Sequence, residues 1–311
     1  MNIKLKRIVL ARHYGFCMGV KRAIKIAEET GRGRSNPVNV IHEIVHNDAV
    51  VSRLAEQGVG HVLSVGEADG GTVIISAHGQ PPSTYEQARR QGLEIVDATC
   101  PVVIRIHDII HKLVDNGYQV IHFGDLHHDE TRGVVGQAPA GRVIVVGSVE
   151  ELRRLDRDGR KLALTSQTTA EAEEFERIGR EAKRLFPGLE IHNTICKATA
   201  KRQAAVRSLA PRVDIVFVVG SDSSANSKRL QSISEAVCGR AYLINSAAML
   251  RPEWLDGVQT VGLTAGASTP DFLVEEVICR LVGLSGGRAE VIRTPKKSRG
   301  RKKSQPKPSA R

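Results

Sequence analysis

Short runs of β-branched residues alternate with amphipathic stretches along most of the 311-residue chain. Eleven such runs predict strands, for example IKLKRIVLA, GTVIISAHG and DIVFVVGS. A helical pattern follows nearly every run, including VKRAIKIAEET early in the chain and MLRPEWLDG after AYLINS. YQVIHFGD instead leads into a polar segment, HHDE, which we expect to be an irregular loop. Such alternation is typical of parallel sheets covered by helices, so the predicted fold class is α/β. Eleven strands would be many for one sheet, which favours several small α/β domains.

The net charge of +11 is concentrated at one end of the chain. Residues 293–311 contain nine Lys and Arg and no acidic residue, which leaves 36 basic against 34 acidic residues in the rest. This tail is rich in Pro and Ser and has almost no apolar side chains, so we expect it to be disordered. A basic tail could contact RNA or an anionic surface, but a solvated extension is the simpler interpretation.

The sequence gives no sign of a membrane or secreted protein. No apolar run approaches the ~18–20 residues that a membrane span needs. The N-terminus lacks the long apolar core and cleavage site of a signal peptide. Five cysteines are too few for a disulfide scaffold in a chain of this length. We therefore expect a cytoplasmic protein whose clustered thiols, if any, serve a metal or catalysis.

Three of the cysteines share one local setting. Cys17, Cys100 and Cys196 each follow a predicted strand and stand at the first turn of a predicted helix. A helix N-terminus favours the thiolate, which is the metal-binding form of cysteine. Because 83 and 96 residues separate the three, they can meet only if three domains direct their strand ends at one centre. Three thiolates without a fourth suit an iron–sulfur cluster with one iron open to substrate.

Other metal sites fit the sequence less well. A structural zinc site would need four ligands, usually in close Cys pairs, and the sequence has none. The string His42–His46 (HEIVH) matches a zinc-peptidase pattern, but that chemistry needs both histidines on one helix face. Here the string continues a predicted strand, and the next helix is expected to begin near Asn47–Asp48. Cys238 and Cys279 lie among apolar helical neighbours and are interpreted as small buried hydrophobes.

Polar side chains follow several of the predicted strands. They comprise His78, the segment His127–Glu130, the pair Thr168 and Thr169, and the loops at 220–227 and 264–268. Hydroxyls, amides and free N–H groups at helix starts can cradle a phosphate, although Ser and Thr there more often only cap the helix. Their convergence with three thiols favours a diphosphate held beside a redox centre.

These motifs together resemble the 4-hydroxy-3-methylbut-2-enyl diphosphate reductase family, the last enzyme of the non-mevalonate isoprenoid pathway. The matching strings run in family order from about residue 8 to residue 284: GFCMGVKRAI, HEIVHN, SAHG, DATCP, GQ after HHDE, QTT, IC-AT-RQ, VVGS-SSANS and TAGASTPD. The resemblance implies three α/β domains in a trefoil around one [4Fe-4S] cluster. The domains expected are 1–99, 100–195 and 196–284, each carrying one cluster cysteine, followed by the basic disordered tail 285–311.

The resemblance also assigns roles to particular residues. It implies that Cys17, Cys100 and Cys196 are the cluster ligands and that Glu130 is the catalytic acid. It implies that the following residues bind the substrate: His46 (not His42), His78, His128, Thr168, Ser224, Ala225, Asn226 and Ser268. The implied products are isopentenyl and dimethylallyl diphosphate, and the implied electron donor is a ferredoxin- or flavodoxin-like protein.

The chain departs from the family pattern at three positions near these residues. Asp129 replaces the usual Pro before Glu130, and its charge could raise the pKa of that acid. Ala225 replaces the middle Ser of the Ser-Ser-Asn run, which removes a hydroxyl but keeps the backbone N–H. Lys197 replaces an aromatic or neutral residue after the third cysteine. One alternative function stays open: a paralogue with lost or altered activity that acts on RNA or the ribosome through its tail.

Overall fold

A computed structural model describes residues 3–156 and 159–293 and contains three separate parallel sheets. The first sheet comprises β1 (Arg7–Leu10), β10 (Ile215–Val219), β11 (Ala241–Ile244), β12 (Thr260–Ala265) and β13 (Glu290–Arg293). The second comprises β2 (Val38–Ile41), β3 (Val59–Val62), β4 (Thr72–Ile75) and β5 (Glu94–Asp97). The third comprises β6 (Gln119–Phe123), β7 (Val143–Val146), β8 (Leu162–Ser166) and β9 (Glu190–Ile191). The strand orders are β11-β10-β12-β1-β13, β3-β2-β4-β5 and β7-β6-β8-β9. The predicted α/β class with three units is confirmed.

Helices cover these sheets as the alternating pattern predicts. They are α1 (Met18–Gly31), α2 (Asp48–Glu56), α3 (Pro82–Arg90), α4 (Pro101–Asp115), α5 (Asp129–Val135), α6 (Val149–Arg153), α7 (Ala172–Leu185), α8 (Lys197–Leu209), α9 (Ala225–Cys238) and α10 (Asp271–Leu284). Short 3₁₀ turns lie at Val65–Glu67, Ala210–Arg212, Ala247–Met249 and Pro252–Leu255. Within the described ranges, none of these helices has the length and apolarity to cross a membrane.

The central strands are mostly apolar and buried along their whole length, because both of their faces are covered. All five residues of β10 are buried, as are all four of β4 and all five of β6. Strands buried on both faces are typical of parallel sheets between helices. Each sheet therefore has a packed core, and functional side chains can lie in the loops at its strand ends.

The chain passes from one sheet to the next at each of the three cysteines. Cys17 follows β1 of the first sheet, but α1 packs its buried face into the core of the second sheet, where Val20 and Ala23 meet Val38. Cys100 follows β5 of the second sheet, and α4 packs on the third sheet. Cys196 follows β9 of the third sheet, and α8 packs on the first. The three junctions therefore form a cycle, and one cysteine lies at each.

This cycle corrects two of the predicted domain limits. The first domain was expected to begin at residue 1, but β1 pairs with β12 and β13 and so belongs to the sheet formed by the end of the chain. The tail was expected to begin at residue 285, but residues 290–293 form β13 on the edge of that same sheet. The basic residues after Arg293 lie outside the described part of the chain.

Local predictions failed where the sequence pattern was weak or where proline intervened. The edge strand β3 was not predicted, because its sequence VGHV holds a Gly and a His among only two apolar residues. MLRPEWLDG contains the end of the 3₁₀ turn Ala247–Met249 and the whole of the turn Pro252–Leu255 rather than an α-helix, since Pro252 lacks the N–H that a continuous helix would need. The segment after β6 is not wholly irregular, because α5 begins at Asp129.

Candidate active site

The three cysteines that stand at the sheet junctions line one pocket. Each is the N-cap of its helix: Cys17 of α1, Cys100 of α4 and Cys196 of α8. Pro101 occupies the first position of α4, as predicted, because a missing N–H costs nothing there. The pocket also contains the polar side chains of His46, His78, His128, Glu130, Thr168, Ser224, Asn226 and Ser268. The structure therefore brings together every side chain that the sequence analysis assigned to the site, and Ala225 also lines the pocket.

The thiols approach one another closely enough to require a small residue between them. A Cβ added at Gly19 would lie 2.5 Å from Cys100 Sγ and 3.9 Å from Cys17 Sγ. Burial raises the pKa of the Cys100 thiol, and the neighbouring Cys17 and Cys196 raise it further. Hydrogen bonds from the backbone lower this pKa and so oppose the rise. At Cys100, burial among protein atoms therefore opposes the thiolate that a helix N-terminus favours. A bound metal supplies the positive charge that deprotonates coordinating thiols.

A buried arginine provides independent support for an anionic group held by these thiols. Arg202 of α8 is 5% exposed, and its guanidinium donates to the carbonyls of Ala198 (2.8 Å) and Gly15. Its Nε is buried without a hydrogen-bond partner, and among the described residues no carboxylate pairs with it. Burial lowers the pKa of Arg202, whereas Cys17 and Cys196 raise it. Since a buried cation needs a compensating anion, this environment fits a thiolate-ligated cluster.

Three histidines form a second group in the same pocket. His46 and His78 stack with their ring centroids 4.2 Å apart, and His128 meets both rings edge-on at 5.2 and 5.6 Å. Burial lowers the pKa of His78 well below its usual range and that of His128 to about 4. Both rings are therefore neutral near pH 7, where a neutral imidazole can donate one hydrogen bond and accept another.

Glu130 is the most deeply buried acid of the pocket. It lies at the start of α5, is 2% exposed, and accepts hydrogen bonds from Thr168 N (2.6 Å) and Thr168 Oγ1 (2.5 Å). Burial raises its pKa, and the two bonds from Thr168 oppose that rise. Asp129 is not the cause, contrary to the expectation, because its carboxylate lies near His42 (4.0 Å) and Arg132 (3.8 Å). Glu130 is thus a carboxyl group whose environment favours the protonated form, as a general acid requires.

The N-terminus of α9 also lines the pocket. Ser224 caps the helix by accepting from Ser227 N (3.3 Å), so the cap that the sequence analysis weighed is present. The helix begins at Ala225, and the first backbone N–H groups of a helix have no intrahelical acceptor. Asn226 is 4% exposed, and both polar atoms of its side chain are buried without a partner in the described structure. Unpaired buried amides are costly, so a polar ligand is expected here.

Ser268 reaches the same pocket from the loop after β12. Its hydroxyl donates to the carbonyl of His46 (2.9 Å), which ties the first sheet to the second. Its oxygen keeps lone pairs that face the pocket. The hydroxyl therefore positions the histidine segment while remaining near a ligand.

The zinc-peptidase interpretation of His42–His46 fails on geometry. His42 has a left-handed backbone (φ 58°), and the helix begins only at Asp48 with Asn47 as its cap, so the two histidines do not share a helix face. Ligand atoms of His46, His78 and Asp129 do lie within 4.8 Å of one another. That group omits His42 and uses two histidines of the central pocket.

The remaining cysteines lie apart from the pocket. Cys238 is half-buried at the end of α9 and its thiol donates to Val213 O (3.3 Å). Cys279 is exposed, so its interpretation as a buried hydrophobe is wrong. Cys279 occupies a position on α10 that faces solvent between its buried neighbours.

Sequence reasoning missed two residues of α8 that complete the site. Thr199 is 4% exposed and lines the pocket, and Arg202 is 5% exposed and donates to the carbonyl of Gly15, two residues before Cys17. Helical spacing was the available signal, since Thr199 and Arg202 lie three and six residues after Cys196. From sequence alone, however, a charged residue in a helix is expected on the solvent-exposed face, and only the tertiary structure shows that Arg202 is buried.

Comparison with known proteins agrees with this geometry. A family model described as LytB protein matches residues 8–282. The 4-hydroxy-3-methylbut-2-enyl diphosphate reductase of Aquifex aeolicus is 38% identical over 283 residues, which cover 90% of this chain and 98% of that protein. The enzyme of the same name from Tolumonas auensis is 40% identical over 291 residues, covering 91% and 94%. The solved structure of E-1-hydroxy-2-methyl-but-2-enyl-4-diphosphate reductase from Plasmodium falciparum superposes with a TM-score of 0.89 at 31% identity and covers 94% of each chain. The chain therefore belongs to the LytB protein family.

Proposed function

We propose that this LytB-family oxidoreductase converts (E)-4-hydroxy-3-methylbut-2-enyl diphosphate to isopentenyl diphosphate and dimethylallyl diphosphate, the last step of the non-mevalonate pathway. The reaction consumes two electrons and two protons, breaks the bond between carbon and the allylic hydroxyl, and releases water. One observation carries the proposal: three N-cap thiols, a buried acid and an unpartnered amide line the same pocket. The names of the relatives support the choice of substrate.

Cys17, Cys100 and Cys196 would hold the cluster in this proposal. When bound, a [4Fe-4S] cluster with three cysteine ligands supplies electrons and one open iron that polarises the substrate hydroxyl. The close approach at Gly19 and the unpaired Nε of Arg202 fit such a group. The role of Arg202 is to offset the negative charge of the thiolates at the base of the pocket.

Glu130 would hold the proton that the reaction needs. Its raised pKa keeps a larger fraction of the carboxyl protonated near pH 7 than an ordinary glutamate would retain. Thr168 fixes the orientation of the carboxyl through both of its hydrogen bonds. Glu130 can then protonate the departing hydroxyl, and after reprotonation it can protonate the reduced carbon skeleton.

The diphosphate would bind among the histidines and the start of α9. The amide of Asn226 and the N–H groups at the start of α9 supply donors without an acceptor. His46, His78 and His128 supply ring nitrogens, and the hydroxyls of Thr168, Ser224 and Ser268 complete the binding groups. Contacts of this kind hold the hydroxyl end of the substrate toward the thiols.

The electrons would come from a ferredoxin- or flavodoxin-like protein, as the family resemblance implies. Because the proposed reaction consumes two electrons in every turnover, the protein must be reduced again by an external carrier each time.

The first experiment follows substrate-dependent oxidation of reduced viologen by the purified protein under anaerobic conditions. We expect oxidation to begin only when 4-hydroxy-3-methylbut-2-enyl diphosphate is added, and both proposed products to form. Cys100→Ser should lose or degrade the cluster absorbance, whereas the matched change Cys279→Ser should leave it intact because Cys279 is exposed and remote. A fully active Cys100→Ser protein with its cluster intact, or no oxidation by cluster-loaded wild type, would refute the proposal.

A further inference from the structure

A large concavity lies along α8, apart from the pocket. This basic groove is about 580 Å³ in volume and is bounded by β1 with the segment after it, by α8 and by the 3₁₀ turn that follows α8. Its charged walls are formed by Arg7, Arg12, Lys201 and Arg212, and Ala204 and Ser208 lie among them. The groove shares no lining residue with the pocket, so it can be occupied while substrate is bound.

The charge of the groove is of one sign. No Asp or Glu appears among its described lining residues, although residues 1–292 as a whole are nearly balanced in charge. Arg12, Lys201 and Arg212 are exposed, and none of them forms an ion pair in the described structure. The contrast within α8 is informative, because Arg207 is paired with Glu171 and with Glu173 (2.8 Å). Uncompensated like charges repel one another, so such a cluster indicates an anionic partner.

The groove is lined by the same two chain segments that carry Cys17 and Cys196. Arg12 precedes Cys17 by five residues, and Lys201 follows Cys196 by five, so both cysteine-bearing segments continue into the groove wall. Arg202, next to Lys201, donates to the carbonyl of Gly15, two residues before Cys17, and so joins the two segments. Lys197 is exposed four residues before Lys201, which extends the row of positive charge along α8 towards Cys196.

We propose that this groove is the docking surface for the electron carrier, and that the carrier is a small acidic protein with a one-electron iron–sulfur or flavin group. This inference rests on the proposed function, because it states where the electrons that the proposed reaction consumes enter the protein. Two reduced carriers bind in turn, and each is oxidised by one electron. The two protons that balance the reaction enter separately, at Glu130 on the pocket side.

Electrostatic complementarity explains why a charged groove suits this role. Transient redox complexes bury little surface, so long-range attraction rather than apolar burial must bring the partners together. Such attraction raises the association rate and weakens as salt shortens the screening length. Turnover with an acidic protein carrier should therefore fall as ionic strength rises, whereas turnover with a small mediator of low charge should change little.

The test compares two electron sources on the full-length, cluster-loaded protein. The groove variant combines Arg12→Glu with Lys201→Glu, and the control variant combines Arg89→Glu with Lys183→Glu, which makes the same charge change on exposed residues outside the groove. The sources are a reduced acidic plant-type [2Fe-2S] ferredoxin and the small mediator sulfonatopropyl viologen, whose reduced form carries a single negative charge. Cluster absorbance and circular dichroism establish that both variants are folded and loaded.

We expect the groove variant to show an apparent KM for ferredoxin about tenfold above wild type and a weaker salt dependence, with viologen-driven turnover within about twofold. An equal KM for ferredoxin in the groove variant and the control would overturn the docking proposal. So would loss of binding to a fluorescent RNA oligomer in the groove variant with unchanged ferredoxin turnover, which would assign the groove to nucleic acid. Absence of viologen-driven, substrate-dependent turnover in wild type would instead count against the proposed function.

Discussion

Replacing Glu130 by Gln tests the proton chemistry with little disturbance of the fold. Gln keeps the volume and an oxygen that can accept from Thr168 N, and only the pairing with Thr168 Oγ1 must rearrange. One rearranged hydrogen bond costs about 1 kcal/mol of stability. Loss of a positioned general acid costs about 10²–10⁴-fold in turnover. The structure therefore predicts a large loss of kcat with a small loss of stability.

The assay measures kcat and KM for 4-hydroxy-3-methylbut-2-enyl diphosphate with reduced viologen, together with cluster absorbance and the free energy of unfolding. The control is Glu43→Gln. Glu43 accepts from His46 Nδ1 (3.1 Å), and this bond lowers its pKa, so Glu43 is ionised and has no proton to give. We expect the control to lose only severalfold in kcat. A Glu130→Gln protein that keeps more than about a tenth of wild-type kcat would refute the role of Glu130.

The pH profile gives the same prediction a second readout. Because Glu130 must be protonated to donate, kcat/KM should fall as pH rises through its raised pKa. The hydrogen bonds from Thr168 stabilise the carboxylate and oppose that rise. Thr168→Val removes the hydroxyl bond, so the alkaline fall should move to higher pH while kcat drops. A shift of this alkaline fall to lower pH would contradict the conclusion that the hydrogen bond from the Thr168 hydroxyl lowers the pKa of Glu130.

Three further predictions concern binding, folding and pH. Asn226→Ala should raise KM for the diphosphate about 10–100-fold with intact cluster absorbance, since hydrogen bonds to charged groups are worth about 1.5–3 kcal/mol. Steady-state kinetics check this prediction, with Asn116→Ala at an exposed position as the control. Deleting 294–311 should leave viologen-driven turnover unchanged, and lost turnover in this shorter deletion would favour a functional tail. Deleting 285–311 should instead lower the free energy of unfolding by about 2 kcal/mol or more, because it removes β13. Thermal melts of both proteins measure this difference in stability. Burial lowers the pKa of His122 to about 3, so the folded state binds this proton more weakly than the unfolded chain. The contribution of neutral His122 to stability is fully present above about pH 6.5 and is lost as pH falls towards 3. Between pH 7 and pH 5, the free energy of unfolding measured in urea should therefore fall by about 2 kcal/mol more in wild type than in His122→Gln.

The sequence predicted those parts of the fold that local pattern determines. The N-cap positions of Cys17, Cys100 and Cys196 follow from a strand, a break and a helical period, with Pro101 marking one helix start. The rejection of the peptidase motif followed in the same way, because the strand before His42 could be recognised. Local sequence carries such information wherever periodicity is strong.

Sheet membership and burial depend on contacts that no local window contains. β1 resembles any first strand of an α/β unit, yet its partners β12 and β13 lie about 250 or more residues later. Arg202 illustrates the same limit in the site, since only the return of Gly15 over α8 buries its guanidinium. The choice of His46 over His42 came from the family resemblance, and the pocket is lined by His46 and not by His42.

The cyclic path of the chain explains how one helix can serve both substrate and electron carrier. Because α8 crosses from the third sheet to the first, its start faces the pocket through Ala198 and Thr199, while Lys201 and Ser208 face the basic groove. A carrier docked in the groove would therefore approach the thiols without displacing the diphosphate. This separation predicts that substrate and carrier bind independently, so saturating diphosphate should leave the KM for ferredoxin unchanged. Competition between the two in initial-rate kinetics would mean that the carrier enters through the pocket instead.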